Sequence, residues 1–334
     1  VTRHDSRQDP ETPPDPATQV ATEVTTPSGT ATDVKPADER QENAAPKRGQ
    51  WTENVMNVSR ETRRRSTRLP KPVTTRRIVV ANQKGGVGKT TTSVNLAVAL
   101  AQGGLRVLVV DIDPQGNAST ALGIPHVEGT PSTYEVLLDD MKLADAVVGS
   151  PEADNLFVLP ATIDLAGAEL ELVSRVAREQ KLLRAVREYL TDHEFDYVFY
   201  DCPPSLGLLT VNALVAATDI LIPIQCEYYA LEGVTQLMRT IQLVSGELNP
   251  ELRLWAVLLT MFDGRTKLSA QVAEEVRNHF RDETLATVIP RSVRVSEAPS
   301  YGQTVITYDD HSVGADAYRT VAAELAARAA EEQS

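Results

Sequence analysis

The sequence predicts an α/β fold, a mostly parallel, doubly wound sheet flanked by helices, preceded by a disordered N-terminal tail. Three observations predict it. A glycine-rich phosphate-binding loop joins a short apolar run to a helical pattern, and apolar runs then alternate with helical patterns along the rest of the chain. In contrast, the first fifty of the 334 residues contain no Leu, Ile, Met, Phe, Tyr or Trp. Chain of that composition buries too little apolar surface to offset the entropy lost on ordering.

The tail changes character before it ends. From Trp51 to Arg77 there are eight Lys or Arg against two Glu, including Arg63-Arg64-Arg65, so residues 1–75 read as a tail closing in a basic linker. Residues 76–334 read as one domain, long enough to bury a substantial core. The net charge is −13, made of +3 over residues 1–77 and −16 over the remainder. That balance weighs against broad attraction to nucleic acid, and any DNA contact has to be local.

The elements follow in order. Ile78–Ala81 is the first strand, Thr91–Ala101 the helix after the loop, and Leu105–Ile112 a nearly continuous apolar strand of the kind covered on both faces. Further strands are expected at Leu156–Pro160, Tyr197–Tyr200, Ile220–Ile224, Leu254–Thr260 and Thr287–Ile289. Helices are expected at Leu165–Val173, Gln180–Leu190, Leu206–Ala216, Gly233–Val244 and Ser269–Phe280. The longest apolar stretch, Leu206–Ile224, is broken by Asn212, Asp219 and Pro223 and reads as a buried helix and strand, not a membrane span. Cys202 and Cys226 form no disulfide framework, and no apolar signal segment precedes the domain, which favours a reducing cytoplasm.

The chemistry concentrates in Lys84-Gly85-Gly86-Val87-Gly88-Lys89-Thr90-Thr91. Glycines let backbone N–H groups converge on phosphates, the helix start adds a favourable dipole, Lys89 reaches the β- and γ-phosphates, and the Thr90 hydroxyl ligates Mg²⁺. A nucleoside triphosphate with Mg²⁺ is the ligand this pattern expects. The plain motif has glycine five positions before Gly88; this chain has Gln83 there and a second lysine, Lys84, at the loop entrance. Three acids stand at strand ends: Asp111 and Asp113 in Asp-Ile-Asp-Pro-Gln-Gly-Asn, and Asp201 after Tyr197-Val198-Phe199-Tyr200. Asp201 is placed opposite Thr90 as a partner of the metal, while one of Asp111 and Asp113 organises its waters and the other positions the attacking water.

Taken in order with Asp201-Cys202-Pro203-Pro204, these motifs resemble the ParA/Soj chromosome-partitioning ATPases, a P-loop NTPase group with a deviant Walker A lysine. The segment Pro290-Arg291-Ser292-Val293-Arg294-Val295-Ser296-Glu297-Ala298-Pro299-Ser300 resembles them too, and the likeness runs from about Arg76 to about Ala330. It implies an ATPase that dimerises face to face around two ATP, with Lys84 reaching the partner's phosphates, Asp113 positioning water and Asp201 serving Mg²⁺. It also implies non-specific double-stranded DNA binding by the ATP-bound homodimer, at Arg265 and Arg294 with Arg291 beside them, and stimulation of hydrolysis by a ParB-like partner. Cytoplasmic, nucleoid-associated protein follows. From chemistry alone, phosphate contacts need arginines free of carboxylate partners, and Arg291 to Arg294 has no intervening acid.

Three rivals share the loop. A membrane-cycling ATPase of the MinD type needs a C-terminal amphipathic helix with a basic face, whereas Ala322–Ser334 is acidic, alanine-rich and reads as a solvated terminal helix. An iron protein of the nitrogenase type needs cluster-ligating cysteines, but Cys202 and Cys226 read as buried small residues. A metabolic ATP-dependent synthetase leaves the Arg291–Ser300 segment unexplained. Three readings of the tail stay open: binding a polar scaffold, brushing DNA through Arg60 to Arg77, or an overlong start with Met56 as an in-frame alternative.

Overall fold

The computed structural model describes residues 68–228 and 230–332, with only the backbone at positions 232 and 233. The expected tail and most of the basic linker, residues 1–67, lie outside the described residues. Seven strands form one sheet: β1 (Arg76–Val80), β2 (Val107–Asp111), β3 (Val148–Gly149), β4 (Leu156–Leu159), β5 (Tyr197–Asp201), β6 (Asp219–Gln225) and β7 (Arg253–Thr260). Their order is β3-β4-β2-β5-β1-β6-β7, parallel throughout except that the short β3 runs antiparallel to β4. The expected doubly wound sheet is therefore present.

Strand side chains alternate between two cores, as a period of two dictates. Val79, Leu108, Val110, Val198 and Tyr200 face one cluster. Ile78, Val80, Val107, Val109, Tyr197 and Phe199 face the other. Both clusters are closed by helices, so the strands need no polar face and read as continuous apolar runs. The first cluster lies under α3 (Thr133–Leu138), α4 (Leu143–Ala146), α5 (Leu165–Leu172), α6 (Lys181–Asp192), α7 (Leu208–Ala216), α8 (Glu232–Glu247) and α9 (Lys267–His279). The second lies under α1 (Lys89–Gln102), α2 (Asn117–Ala121) and α12 (Val313–Glu331), after the short α10 (Val293–Glu297) and α11 (Val305–Tyr308).

Two expectations need correction. Thr287–Ile289 is not a strand: the chain meets β7 through the Leu285 and Ile289 amides, which donate to the Val257 and Leu259 carbonyls at 2.9 and 2.8 Å, and through isolated bridges, without forming a continuous ladder. The terminal helix is not solvated either. α12 packs along α1, with Tyr318, Val321, Ala322, Leu325, Ala326 and Ala329 at most 1% exposed. Alanines allow that close approach, and Glu324 accepts the Ala286 and Thr287 amides at 2.6 and 3.1 Å. Glu332, just past the helix, takes the indole N–H of Trp255 at 2.8 Å and meets Arg76 and Arg253. Arg76 is itself buried against Asp219 at 3.0 Å and lies over the Trp255 ring, which closes the starting edge of the sheet.

The order of strands decides where a ligand binds. β5 sits between β1 and β2, and its register aligns Asp201 with Val80 on one side and with Asp111 on the other. The loop leaving β1 and both aspartates thus emerge at the same carboxyl edge.

Candidate nucleotide and metal site

Between β1 and α1 the chain turns through a loop that other strands hold in place. Asn82 Nδ2 donates to the Pro223 carbonyl at 2.8 Å, while Asn82 Oδ1 accepts the Lys84 amide at 3.0 Å. On the far side the Thr260 hydroxyl donates to the Val87 carbonyl at 2.8 Å. Gly86 and Gly88 have φ of 74° and 93°, left-handed conformations that glycine adopts without strain. A Cβ at Gly85 or Gly86 would meet nothing within 4 Å, so this part of the loop borders open space of the kind a phosphate chain would fill. Gly88 offers α1 no side-chain cap, and the first-turn N–H groups are available to an anion.

The loop's two lysines are placed differently. Lys89 is 7% exposed, and its Nζ lies 3.4 Å from the Lys84 carbonyl. Burial pushes its pKa down, and the nearby charge of Asp201 and then Asp113 opposes that. Lys84 is half-buried at the entrance, with its amide tied to Asn82. Thr90 and Thr91 are half-buried at the helix start, and with Asn117, Thr120, Pro299 and Ser300 they line a cavity of about 410 Å³.

The acids gather on the other side of the loop. Asp201 is fully buried; the Ser93 hydroxyl donates to its Oδ1 at 2.8 Å, and its Oδ2 is buried with no hydrogen-bond partner. Burial first, and the neighbouring Asp111 next, raise the Asp201 carboxyl above the usual range, against the hydroxyls of Thr90 and Ser93. Asp111 is also raised by burial, but it is better served: Ser119 donates its amide at 2.9 Å and its hydroxyl at 2.7 Å to Oδ2, and the Asp113 amide donates to Oδ1. Asp113, 7% exposed, accepts the Gln115 amide at 3.0 Å and starts the turn into α2.

These residues fit Mg²⁺ with a nucleotide. The orphaned Oδ2 of a buried carboxylate, in reach of the Thr90 hydroxyl's influence, is a hard-oxygen position that a divalent cation and its waters satisfy. Among the described residues no three His, Cys, Asp or Glu side chains converge on one metal. Cys202 and Cys226, at 0% and 1% exposure, are buried as expected, and burial raises both thiols, Cys226 to about 12.

Phosphate loop, lysines and aspartates therefore converge, whereas the three candidate arginines do not join them. Arg265 stands in the turn before α9, Arg291 follows Pro290 and Arg294 lies in α10. Their segments adjoin: the Phe262 amide donates to the Ile289 carbonyl and the Arg291 amide to the Phe262 carbonyl, both at 3.0 Å. No acid intervenes between Arg291 and Arg294 in sequence, but both have carboxylate partners in space, Arg291 with Glu227 and Arg294 with Glu297 and Asp309, and Arg265 pairs with Asp263. Sequence reading also missed Asn82, Ser93, Ser119 and Thr260, which hold the loop and acids.

A phosphate loop at the carboxyl end of the first strand, faced by buried strand-end aspartates, defines a nucleotide-binding protein of the P-loop class. A family model described as an AAA domain matches residues 75–254. The chain is 54% identical over 250 residues to the sporulation initiation inhibitor protein Soj of Bacillus subtilis (strain 168), covering 75% of this chain and 98% of that one. It is 49% identical over 257 residues to the chromosome partitioning protein ParA of Caulobacter vibrioides (strain NA1000 / CB15N), covering 77% and 96%. Among solved structures, it resembles a cobyrinic acid a,c-diamide synthase from Mycobacterium smegmatis with bound ATP analog and magnesium. That likeness has 44% identity and a TM-score of 0.64, covering 74% of this chain and 93% of the other. The chain belongs to the ParA/Soj family of chromosome-partitioning ATPases.

Proposed function

We propose that this chain hydrolyses ATP to ADP and phosphate as part of a DNA-segregation cycle. In it the protein forms a homodimer with ATP, binds double-stranded DNA without sequence preference, and is released when a ParB-like centromere-binding protein stimulates hydrolysis. The observation that carries this reading is the pair of lysines on one loop: Lys89 is folded into its own loop, and Lys84 stands at the entrance five residues earlier. Lys84 is too early in the loop to duplicate Lys89, which leaves it for the phosphates of a second protomer, as an arginine finger supplied in trans would act.

Within one protomer, Gly85 to Thr91 cradle the phosphate chain with backbone N–H groups, and Lys89 brings a cation to its far end. Thr90 and Asp201 would hold Mg²⁺, with Asp111 behind, and the bound ion would supply charge neutralisation for the phosphate chain. Ser93 fixes the Asp201 carboxylate, and Ser119 fixes Asp111 and with it the backbone of Asp113. Asp113 accepts a hydrogen bond from the attacking water and aligns it. Arg265 and Arg294, with Arg291 beside them, contact DNA phosphates, doubled by the symmetry of the dimer. Association with the nucleoid follows from that contact.

The diamide synthase name of the mycobacterial structure favours an amide-forming ligase as a second reading. Higher identity to Soj and ParA over the same span favours partition. DNA retention in ATP, ADP and no nucleotide separates them: a partition ATPase holds duplex DNA with ATP, and equal retention in all three conditions argues for the other reading.

A further inference from the structure

Arginines placed on the DNA face are not bare cations. Arg265 directs Nε and Nη2 at the two oxygens of Asp263, at 2.9 and 2.8 Å, and its own amide donates to the same carboxylate at 3.0 Å. Arg294 donates from Nη1 to Glu297 at 3.1 Å and approaches Asp309 through Nε at 3.3 Å. The guanidinium side chains are nonetheless 87% and 56% exposed, so they are held at the surface and not sequestered.

We propose that Asp263, Glu297 and Asp309 set the DNA affinity of this face by competing with DNA phosphate for Arg265 and Arg294. The proposal rests on the reading of the face given under Proposed function. Carboxylate and phosphate offer a guanidinium the same pair of oxygens, and the fork that Asp263 occupies is the one a bidentate phosphate contact requires. DNA therefore displaces a carboxylate at each arginine. The displaced acid does not leave: Asp263 is tied to the Arg265 amide, and Glu297 lies within α10, one turn from Arg294. It stays beside the incoming phosphate as a like charge. Exposed pairs are individually weak, and each release costs a factor of roughly two to five in affinity. In a body carrying −16 from Ile78 onward, that factor acts on the few cations available and not on a general field.

The test uses the full chain with ATP, anisotropy on two unrelated duplexes, and a salt series. Asp263→Asn removes the competing charge at Arg265, and the double substitution Glu297→Gln with Asp309→Asn removes both at Arg294, each keeping side-chain shape and leaving the Tyr308 contact of Arg294 in place. Glu251→Gln is the charge control; Glu251 pairs with Arg77 just before β7, at the starting edge of the strands. Arg265→Ala and Arg294→Ala report on the face itself. Both carboxylate variants are expected to bind both duplexes roughly fourfold or more tighter per dimer. Their log–log salt slope should steepen by up to about two units, beyond anything Glu251→Gln produces. Unchanged binding in the carboxylate variants, alongside weakened binding in the arginine variants, overturns the competition and leaves the face standing. Tightening matched by Glu251→Gln overturns it too, as a general charge effect. Parental binding by both arginine variants removes the face, and the proposal with it.

Discussion

The Lys89 ammonium lies 3.4 Å from the carbonyl oxygen of Lys84, so one lysine of the loop is folded against the backbone of the other. In the cycle proposed above, a single protomer would use Lys89 for its own phosphates and present Lys84 at the edge. Lys84→Ala is expected to keep nucleotide binding within about twofold of the parent and to abolish ATP-dependent dimerisation. Light scattering with ATP, paired with equilibrium nucleotide binding, checks both halves; normal dimerisation of the variant rules out the role in trans.

Asp113 lies at the start of the turn into α2, held by the Gln115 amide, and its charge reaches Lys89 of the phosphate loop. In its proposed role as the group that positions water, losing the carboxylate would raise the barrier for hydrolysis more than it weakens binding. Asp113→Ala should lose a factor of about 10² or more in turnover and accumulate as an ATP-bound dimer. Parental turnover would exclude Asp113 as the group that positions water.

Arg294→Ala and Arg265→Ala should each weaken DNA binding about equally on unrelated sequences, because phosphate contacts carry no base information. Two contacts are lost per dimer, so the salt slope flattens by about two units at most. The carboxylates already on both arginines reduce that figure. ATP turnover without DNA should stay at the parental rate, and a sequence-dependent loss of binding would mark these side chains as base readers instead.

Arg76 and Asp219 form a buried ion pair, with side chains 7% and 1% exposed, and Asp219 also receives Arg253 Nε and the Thr218 hydroxyl. Asp219→Ala leaves the Arg76 charge buried beside Trp255 and should cost about 3–5 kcal/mol. The change is read as a lowered urea midpoint, with ATP-dependent dimerisation retained by the folded fraction. An unaltered midpoint would show that Glu332 alone suffices for Arg76.

Much of this was legible in the sequence for identifiable reasons. A phosphate loop requires its residue types in order, and a parallel strand covered on both faces has to be apolar along its length, so β1, β2, β5 and β6 stood out. The aspartates ended such runs. Ser93 and Ser119 were not legible, because a serine inside a helix gives no sign that it faces a carboxylate across the sheet edge. Thr287–Ile289 has strand composition, but it meets β7 through separate backbone hydrogen bonds from Leu285 and Ile289 and forms no continuous ladder. The burial of α12 was hidden because alanine serves equally on an exposed helix and at a close helix contact. The sequence does carry a sign of α3 in the capping box of Ser132 and Glu135, and of the Arg265 pairing in Asp263 two residues before it.

The central claim is that this site hydrolyses ATP as one step of a DNA-segregation cycle, and steady-state ATP turnover tests it most directly. Turnover is measured with DNA alone, with a ParB-like protein alone, and with both. The account predicts a slow rate that rises severalfold only when both are present and that is lost in Lys84→Ala. A rate indifferent to DNA and to the ParB-like protein, together or apart, would contradict it.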